Sequence, residues 1–150
     1  MRKKLLLLIP VFGFISFLLC QACKDARLPE DKAIKYSILG EWQATTLYPN
    51  GEAHRVICTF TGSKQNGTVT TDNGGSGTYT VGGQAGITAK WSFIYYKNGL
   101  KFTEGYEGEF IDENTISGLL YLDQEQQTYE DHVAHANIPD GGLLFQAIRR

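Results

Sequence analysis

From Tyr36 to the C-terminus, short segments rich in β-branched and aromatic residues are separated by glycine-containing turns. Apolar and polar residues alternate within these segments, which is typical of β-strands with one buried face. No segment beyond the N-terminal leader shows a convincing helical period. The predicted strands are 38–48, 54–61, 67–71, 77–81, 87–96, 100–111, 116–122 and 143–150. We therefore predict an all-β domain over residues 36–150. Eight antiparallel strands in simple succession can close into an up-and-down barrel without exposed edges.

The N-terminus has the features of a secretory signal peptide. A basic "MRKK" precedes an apolar run over residues 5–19, which is short for a membrane span. The run ends in "LLCQACKD", where Ala22 before Cys23 resembles the processing site of a bacterial lipoprotein. This resemblance implies a signal peptide over residues 1–22 and a lipid on Cys23 that anchors the chain to the outer membrane. Cys20 is the rival lipidation site, and a soluble secreted protein is the alternative interpretation.

Charge and cysteine usage restrict the function of the mature chain. The Lys24-Asp25 pair after Cys23 resembles the signal that sends Bacteroidota lipoproteins to the cell surface, although a periplasm-facing anchor is also open. Residues 23–35 are charged and predict a flexible tether. After removal of residues 1–22, the chain has sixteen acidic and eleven basic residues. Its net charge is therefore negative, and no basic surface for nucleic acid is expected. Cys58 remains as the only other cysteine, which excludes a disulfide framework.

Two short features resemble the lipocalin-like, or calycin-type, barrels of bacterial lipoproteins. They are the "GEW" of residues 40–42 on the first strand and an arginine at the end of the last strand. The resemblance implies that Trp42, preceded by Gly40, closes one end of the barrel and that Arg149 packs across it. It also implies an interior that binds a small apolar or amphipathic molecule.

A barrel of eight strands either fills with its own side chains or holds one small ligand. The side chains expected to face a ligand are Tyr79, Trp91, Phe93, Phe102, Glu104 and Tyr106. Strict alternation places Glu104 on the apolar face, where a carboxylate could orient a ligand. The alternative is a bulge at Gly105 that turns Glu104 outward, and glycine inside a strand favours this alternative.

The long polar segment 123–142 offers no convincing catalytic or metal site. His132 and His135 are three residues apart, but no third ligand has a recognisable spacing. Cys58 is expected to be a small buried hydrophobe. We therefore predict no cofactor and no resident metal, with an enzyme that uses His132, His135 or Glu104 as the weakest alternative. The main hypothesis is a non-enzymatic, lipid-anchored envelope lipoprotein that binds a small ligand. The second is a filled barrel that binds a protein partner through segment 123–142.

Overall fold

The computed structural model describes residues 33–134 and 137–150, except for the side chains of residues 133 and 134. Cys20, Cys23, the predicted signal peptide and most of the predicted tether lie outside the described residues. At the start of the described chain, the Lys35 amide donates a hydrogen bond to the Gly86 carbonyl at 3.1 Å. Ile34 and Tyr36 pack against the core, so these residues lie against the barrel.

The described residues form a closed barrel of eight strands. Each strand is antiparallel to its sequence neighbours, and the first strand pairs with the last. This confirms the predicted all-β up-and-down barrel, with every strand end within two residues of its prediction. The strands are β1 (Gly40–Leu47), β2 (Ala53–Gly62), β3 (Asn66–Thr71), β4 (Ser76–Gly82), β5 (Thr88–Lys97), β6 (Leu100–Asp112), β7 (Thr115–Leu122) and β8 (Leu143–Arg149).

The alternation of residue types determines which side chains enter the barrel. Along β5, Ala89, Trp91, Phe93 and Tyr95 are buried, while the residues between them are exposed. The turn into β6 uses Asn98 and Gly99 at φ values of 54° and 80°. Asparagine and glycine adopt this left-handed conformation at low cost, so the turn positions β6 beside β5 in register.

The segment predicted as a loop over residues 123–142 contains a helix, α1 (Gln124–Ala134), which the sequence analysis missed. Its sequence is polar all round, so it lacks the apolar stripe that identifies most surface helices. Asp123 caps the start of the helix, because its carboxylate accepts a hydrogen bond from the backbone N–H of Gln126 at 2.8 Å. The other oxygen of Asp123 accepts one from the Thr103 amide at 2.6 Å. The cap therefore attaches α1 to the beginning of β6. No helix among the described residues is long and apolar enough to cross a membrane.

Trp42 and Arg149 occupy the opposite end of the barrel. The Arg149 guanidinium carbon lies 4.5 Å from the centre of the buried Trp42 ring. The same guanidinium donates hydrogen bonds to the carbonyls of Leu39 at 2.7 Å and Glu113 at 3.2 Å, and to that of Ser37. The contact thus joins the segment before β1, the turn after β6 and the end of β8. It closes this end of the barrel.

Gly40 has a geometric role beside this contact. Its φ is 104°, a conformation that favours glycine. A Cβ atom at this position would lie 3.5 Å from an Arg149 terminal nitrogen. A glycine here therefore lets the chain turn into β1 underneath the guanidinium.

Candidate functional site at the helix-covered end

The middle of the barrel is packed with aromatic rings. Trp91 stacks on Tyr106 with ring centroids 4.8 Å apart, and the edge of Phe145 contacts both rings. Phe93 lies 5.9 Å from Tyr106, and Phe60 lies 5.5 Å from Trp91. The aromatic residues predicted to line a cavity here therefore contact one another, as in a close-packed protein interior.

Two of the predicted ligand residues lie nearer the ends of the barrel. Tyr79 donates a hydrogen bond to the Ser63 carbonyl, at the end of the barrel where β2 finishes. Phe102 is fully buried at the other end, where its ring lies 5.3 Å from Tyr129 of α1. Of these two, only Phe102 lies under the helix.

The prediction of a bulge at Gly105 is wrong. Pairing between β5 and β6 continues without a shift through Phe93–Glu104, Ser92–Gly105 and Trp91–Tyr106. Strict alternation therefore holds, and the Glu104 side chain points into the barrel with an exposed fraction of 0%. Gly105 faces outward, where a Cβ atom would meet nothing closer than 3.9 Å.

Three side chains donate hydrogen bonds to the buried Glu104 carboxylate. The Tyr106 hydroxyl donates to Oε2 at 2.7 Å, and the side-chain amide of Gln126, on α1, donates to Oε1 at 2.9 Å. His54 Nε2 lies 3.1 Å from Oε1 and 3.3 Å from Oε2, which makes an ion pair when the ring is protonated. A buried charge needs such partners, and these come from β2, β6 and α1.

The two members of the ion pair shift each other's pKa. Burial disfavours the charged imidazole, but the hydrogen bond and charge of Glu104 outweigh burial and raise the pKa of His54 above its ordinary value. Burial likewise favours the neutral carboxyl, yet the hydrogen bond and charge of His54, with the bonds from Tyr106 and Gln126, lower the pKa of Glu104. Both shifts favour the charged pair.

Further polar side chains surround Glu104 beneath α1. We call the whole set the capped cluster; its members are Tyr48, His54, Tyr95, Glu104, Tyr106, Gln126 and Glu130. Gln126 and Glu130 lie one helical turn apart on the buried face of α1, with exposed fractions of 0% and 7%. Gln126 also donates a hydrogen bond to the Tyr95 hydroxyl at 3.0 Å.

Two buried atoms of the capped cluster lack a hydrogen-bond partner among the described residues. They are the Tyr48 hydroxyl and Gln126 Oε1; outside the cluster, Trp91 Nε1 in the middle of the barrel is the third such atom among the described residues. The Gln126 amide is oriented by Glu104, since a carboxylate only accepts hydrogen bonds and the amide must present its NH₂ group to it. Burial, then the charges of Glu130 and Glu104, and also an interaction of the hydroxyl with the Glu130 side chain, raise the pKa of Tyr48, so the hydroxyl stays protonated. It lies beside Glu130 without reaching hydrogen-bond geometry.

A surface pocket of about 650 Å³ adjoins α1 on its outer side, and none of its lining residues belongs to the capped cluster. Its lining residues are Leu100, Gln124, Glu125, Thr128, Tyr129 and His132. Tyr129 belongs both to this pocket and to the buried contact with Phe102. Its ring therefore forms the wall between the pocket and the interior. The Asn98 amide donates a hydrogen bond to the Tyr129 hydroxyl at 3.2 Å, which attaches this wall to the β5–β6 turn.

The remaining candidate residues do not converge on a second site. His132 is exposed on α1, and His135 lies outside the described residues. Within the described ranges, no group of three or more His, Cys, Asp or Glu side chains could hold a metal ion. Cys58 is buried, and burial together with the charge of Glu104 raises its pKa to about 12, so the thiolate is scarce at neutral pH.

Sequence reasoning missed most of the capped cluster for identifiable reasons. His54 shares the inner face of β2 with Val56 and Cys58, so alternation alone places it on the face that lines the barrel. That signal was present in the sequence. Gln126 and Glu130 carried no comparable signal, because their burial depends on a polar helix covering the end of the barrel.

The comparisons with known proteins assign no relative to this fold. No protein-family model, curated protein or solved structure matches the chain. Function must therefore be argued from the geometry of the capped cluster.

Proposed function

We propose that this chain is a lipocalin-like barrel of a non-enzymatic, lipid-anchored bacterial envelope lipoprotein, and that the barrel binds a small amphipathic ligand at its helix-covered end. The observation that carries this proposal is the pair of buried, unpartnered polar atoms on Tyr48 and Gln126. A buried polar group without a hydrogen bond costs about 1–3 kcal/mol, so such groups favour a molecule that satisfies them.

The surroundings of these atoms suit an amphipathic molecule. The capped cluster offers fixed polar groups, and the adjoining pocket supplies the apolar surfaces of Leu100 and Tyr129. Removing apolar ligand surface from water contributes about 25 cal/mol per Å². We place the polar group of the ligand in the capped cluster and its apolar part between α1 and the β5–β6 turn. Access requires the Tyr129 ring to move with α1.

The membrane anchor rests on the leader sequence. The "LLCQACKD" motif assigns the lipid to Cys23, and Lys24-Asp25 favours the outer membrane, with the barrel on the cell surface or in the periplasm. Residues after Cys23 then tether the barrel to the membrane.

Outer-surface apolar side chains support the second candidate, a filled barrel that binds a protein partner near segment 123–142. Leu144 of β8 is 74% exposed, pairs with Leu119 of β7, and follows the segment directly. Leu47 and Tyr121 are also exposed, at 65% and 43%. Exposed apolar patches are typical of interaction surfaces.

A tyrosine-to-phenylalanine change separates ligand binding from stability. The probe is N-phenyl-1-naphthylamine, a neutral amphipathic dye whose fluorescence rises in apolar surroundings. We expect saturable binding to the purified protein, with one dye per chain. Tyr48→Phe should weaken this binding about threefold to tenfold, because it removes a hydroxyl that the ligand satisfies, yet it should leave the unfolding free energy equal or higher.

Tyr79→Phe is the matched control at the other end of the barrel. It removes a hydroxyl that already donates to the Ser63 carbonyl, so it should lower the unfolding free energy by about 1 kcal/mol and leave dye affinity unchanged. Equal dye affinity in wild type and Tyr48→Phe would contradict the placement of the site. No saturable binding to wild type would reject the ligand-binding proposal in favour of the filled barrel.

A further inference from the structure

The polar group that fits the capped cluster can be specified further. We infer that it is a cation with several hydrogen-bond donors, such as the ammonium group of a primary amine, held between Glu130, Gln126 Oε1 and the Tyr48 hydroxyl. This inference rests on the proposed function and names the chemical class of its ligand. It follows from three observations about the same group of side chains.

The first observation is the excess of acceptors. Glu104 is supplied by donors from His54, Tyr106 and Gln126, so its hydrogen bonds are already made. Gln126 Oε1 can only accept, and a carboxylate such as Glu130 also only accepts. The Tyr48 oxygen can accept as well. An ammonium group, with three donors and no acceptor, complements these three sites; a carboxylate or phosphate ligand does not.

The second observation is charge. The capped cluster contains two carboxylates and one imidazole, so it is net negative even when His54 is protonated. Glu104 is neutralised by His54 at 3.1 Å. The ion pairs among the described residues join His54–Glu104, Lys90–Glu107 and Arg150–Glu41, and none includes Glu130. Glu130 is buried, with 7% of the residue exposed, so a cation beside its carboxylate gains a poorly screened attraction.

The third observation is the aromatic surface around this position. Tyr48 stacks on His54 with centroids 6.1 Å apart, and Tyr95 and Tyr129 both contact Phe102. Aromatic faces attract cations. One such contact is present beside α1, where the ammonium of the exposed Lys97 lies 5.0 Å from the centre of the Tyr129 ring.

Three octyl compounds that differ only in the polar group test the inference. Octylamine, 1-octanol and octanoate are compared by competition with the bound dye at pH 7, where an alkylamine, with a pKa near that of lysine at about 10, is protonated. We expect octylamine to bind about tenfold tighter than octanol, with octanoate the weakest, because a charge-assisted hydrogen bond exceeds a neutral one.

Glu130→Gln identifies the residue responsible. It should weaken octylamine binding about tenfold and change octanol binding less than twofold. Asp131→Asn removes the same charge from the next, exposed position of α1 and should leave both affinities unchanged. Octanol or octanoate binding as tightly as octylamine would overturn the amine inference and leave the proposed site intact. A failure of all three compounds and of the dye to bind would instead reject the proposed function.

Discussion

Replacing His54 by leucine should lower the free energy of unfolding by about 3 kcal/mol at pH 7, because it leaves the Glu104 carboxylate buried without its ionic partner. The exposed fraction of Glu104 is 0%, so water does not replace the imidazole without a rearrangement of α1. Urea unfolding followed by tryptophan fluorescence measures the effect. His132→Leu, the same change at an exposed position of α1, should shift the unfolding free energy by less than about 0.5 kcal/mol.

The second substitution Glu104→Gln should rescue much of this loss. It removes the charge and keeps an oxygen that accepts from Tyr106, so the double variant should be more stable than His54→Leu alone by about 1–2 kcal/mol. Additive losses would contradict the ion pair.

The pH dependence provides an independent check of the same pair. The raised pKa of His54 stabilises the folded protein fully below pH 6.5, and this stability is lost as the pH rises through the pKa of His54 in the folded state. The lowered pKa of Glu104 stabilises the folded protein fully above pH 4.5, and this stability is lost as the pH falls through the pKa of Glu104 in the folded state. The advantage of wild type over the double variant should therefore be largest between pH 4.5 and 6.5.

Arg149→Ala should be the next most damaging change, with a loss of about 2–3 kcal/mol. It removes the stacking on Trp42 and leaves the carbonyls of Ser37, Leu39 and Glu113 without this donor. The measurement is again urea unfolding. The loss should survive high salt, because hydrogen bonds to backbone carbonyls and ring stacking, rather than surface ion pairing, supply most of it.

The neighbouring Arg150 provides the control for this prediction. Its side chain pairs with Glu41 at 3.1 Å, but both are about half exposed, at 48% and 47%. Exposed ion pairs contribute little, so Arg150→Ala should cost less than about 0.5 kcal/mol. Equal losses for the two arginines would mean that Arg149 does not close the barrel.

The strands could be predicted from the sequence because alternation and turn chemistry are local signals. The Asn98-Gly99 turn and the inward row of β5 are examples, and the structure confirms the resulting barrel. Glu104 shows the limit of this reasoning. The glycine at position 105 favoured a bulge over a buried carboxylate, because a lone charge in an apolar barrel is costly. Three donors from β2, β6 and α1 remove that cost, and their convergence is a tertiary property.

The helix-covered end was not predictable for the same physical reason. α1 has no apolar stripe, and its start depends on Asp123 contacting both Gln126 and Thr103. The two buried polar residues of α1 contact groups that are distant in sequence, so no local pattern marks them. The predicted ligand set was consequently centred on the packed rings around Trp91. Two of the three unpartnered buried polar atoms among the described residues lie beneath α1, and the third is Trp91 Nε1.

The most direct test of ligand binding at the helix-covered end is the mass of the purified protein under non-denaturing conditions, compared with its mass after denaturation. We predict one small organic molecule per chain that is lost on denaturation, or that is acquired on incubation with octylamine and lost in the same way. An identical mass in both conditions, unchanged after incubation with octylamine, octanol or octanoate, would contradict the proposal that the barrel binds a small ligand.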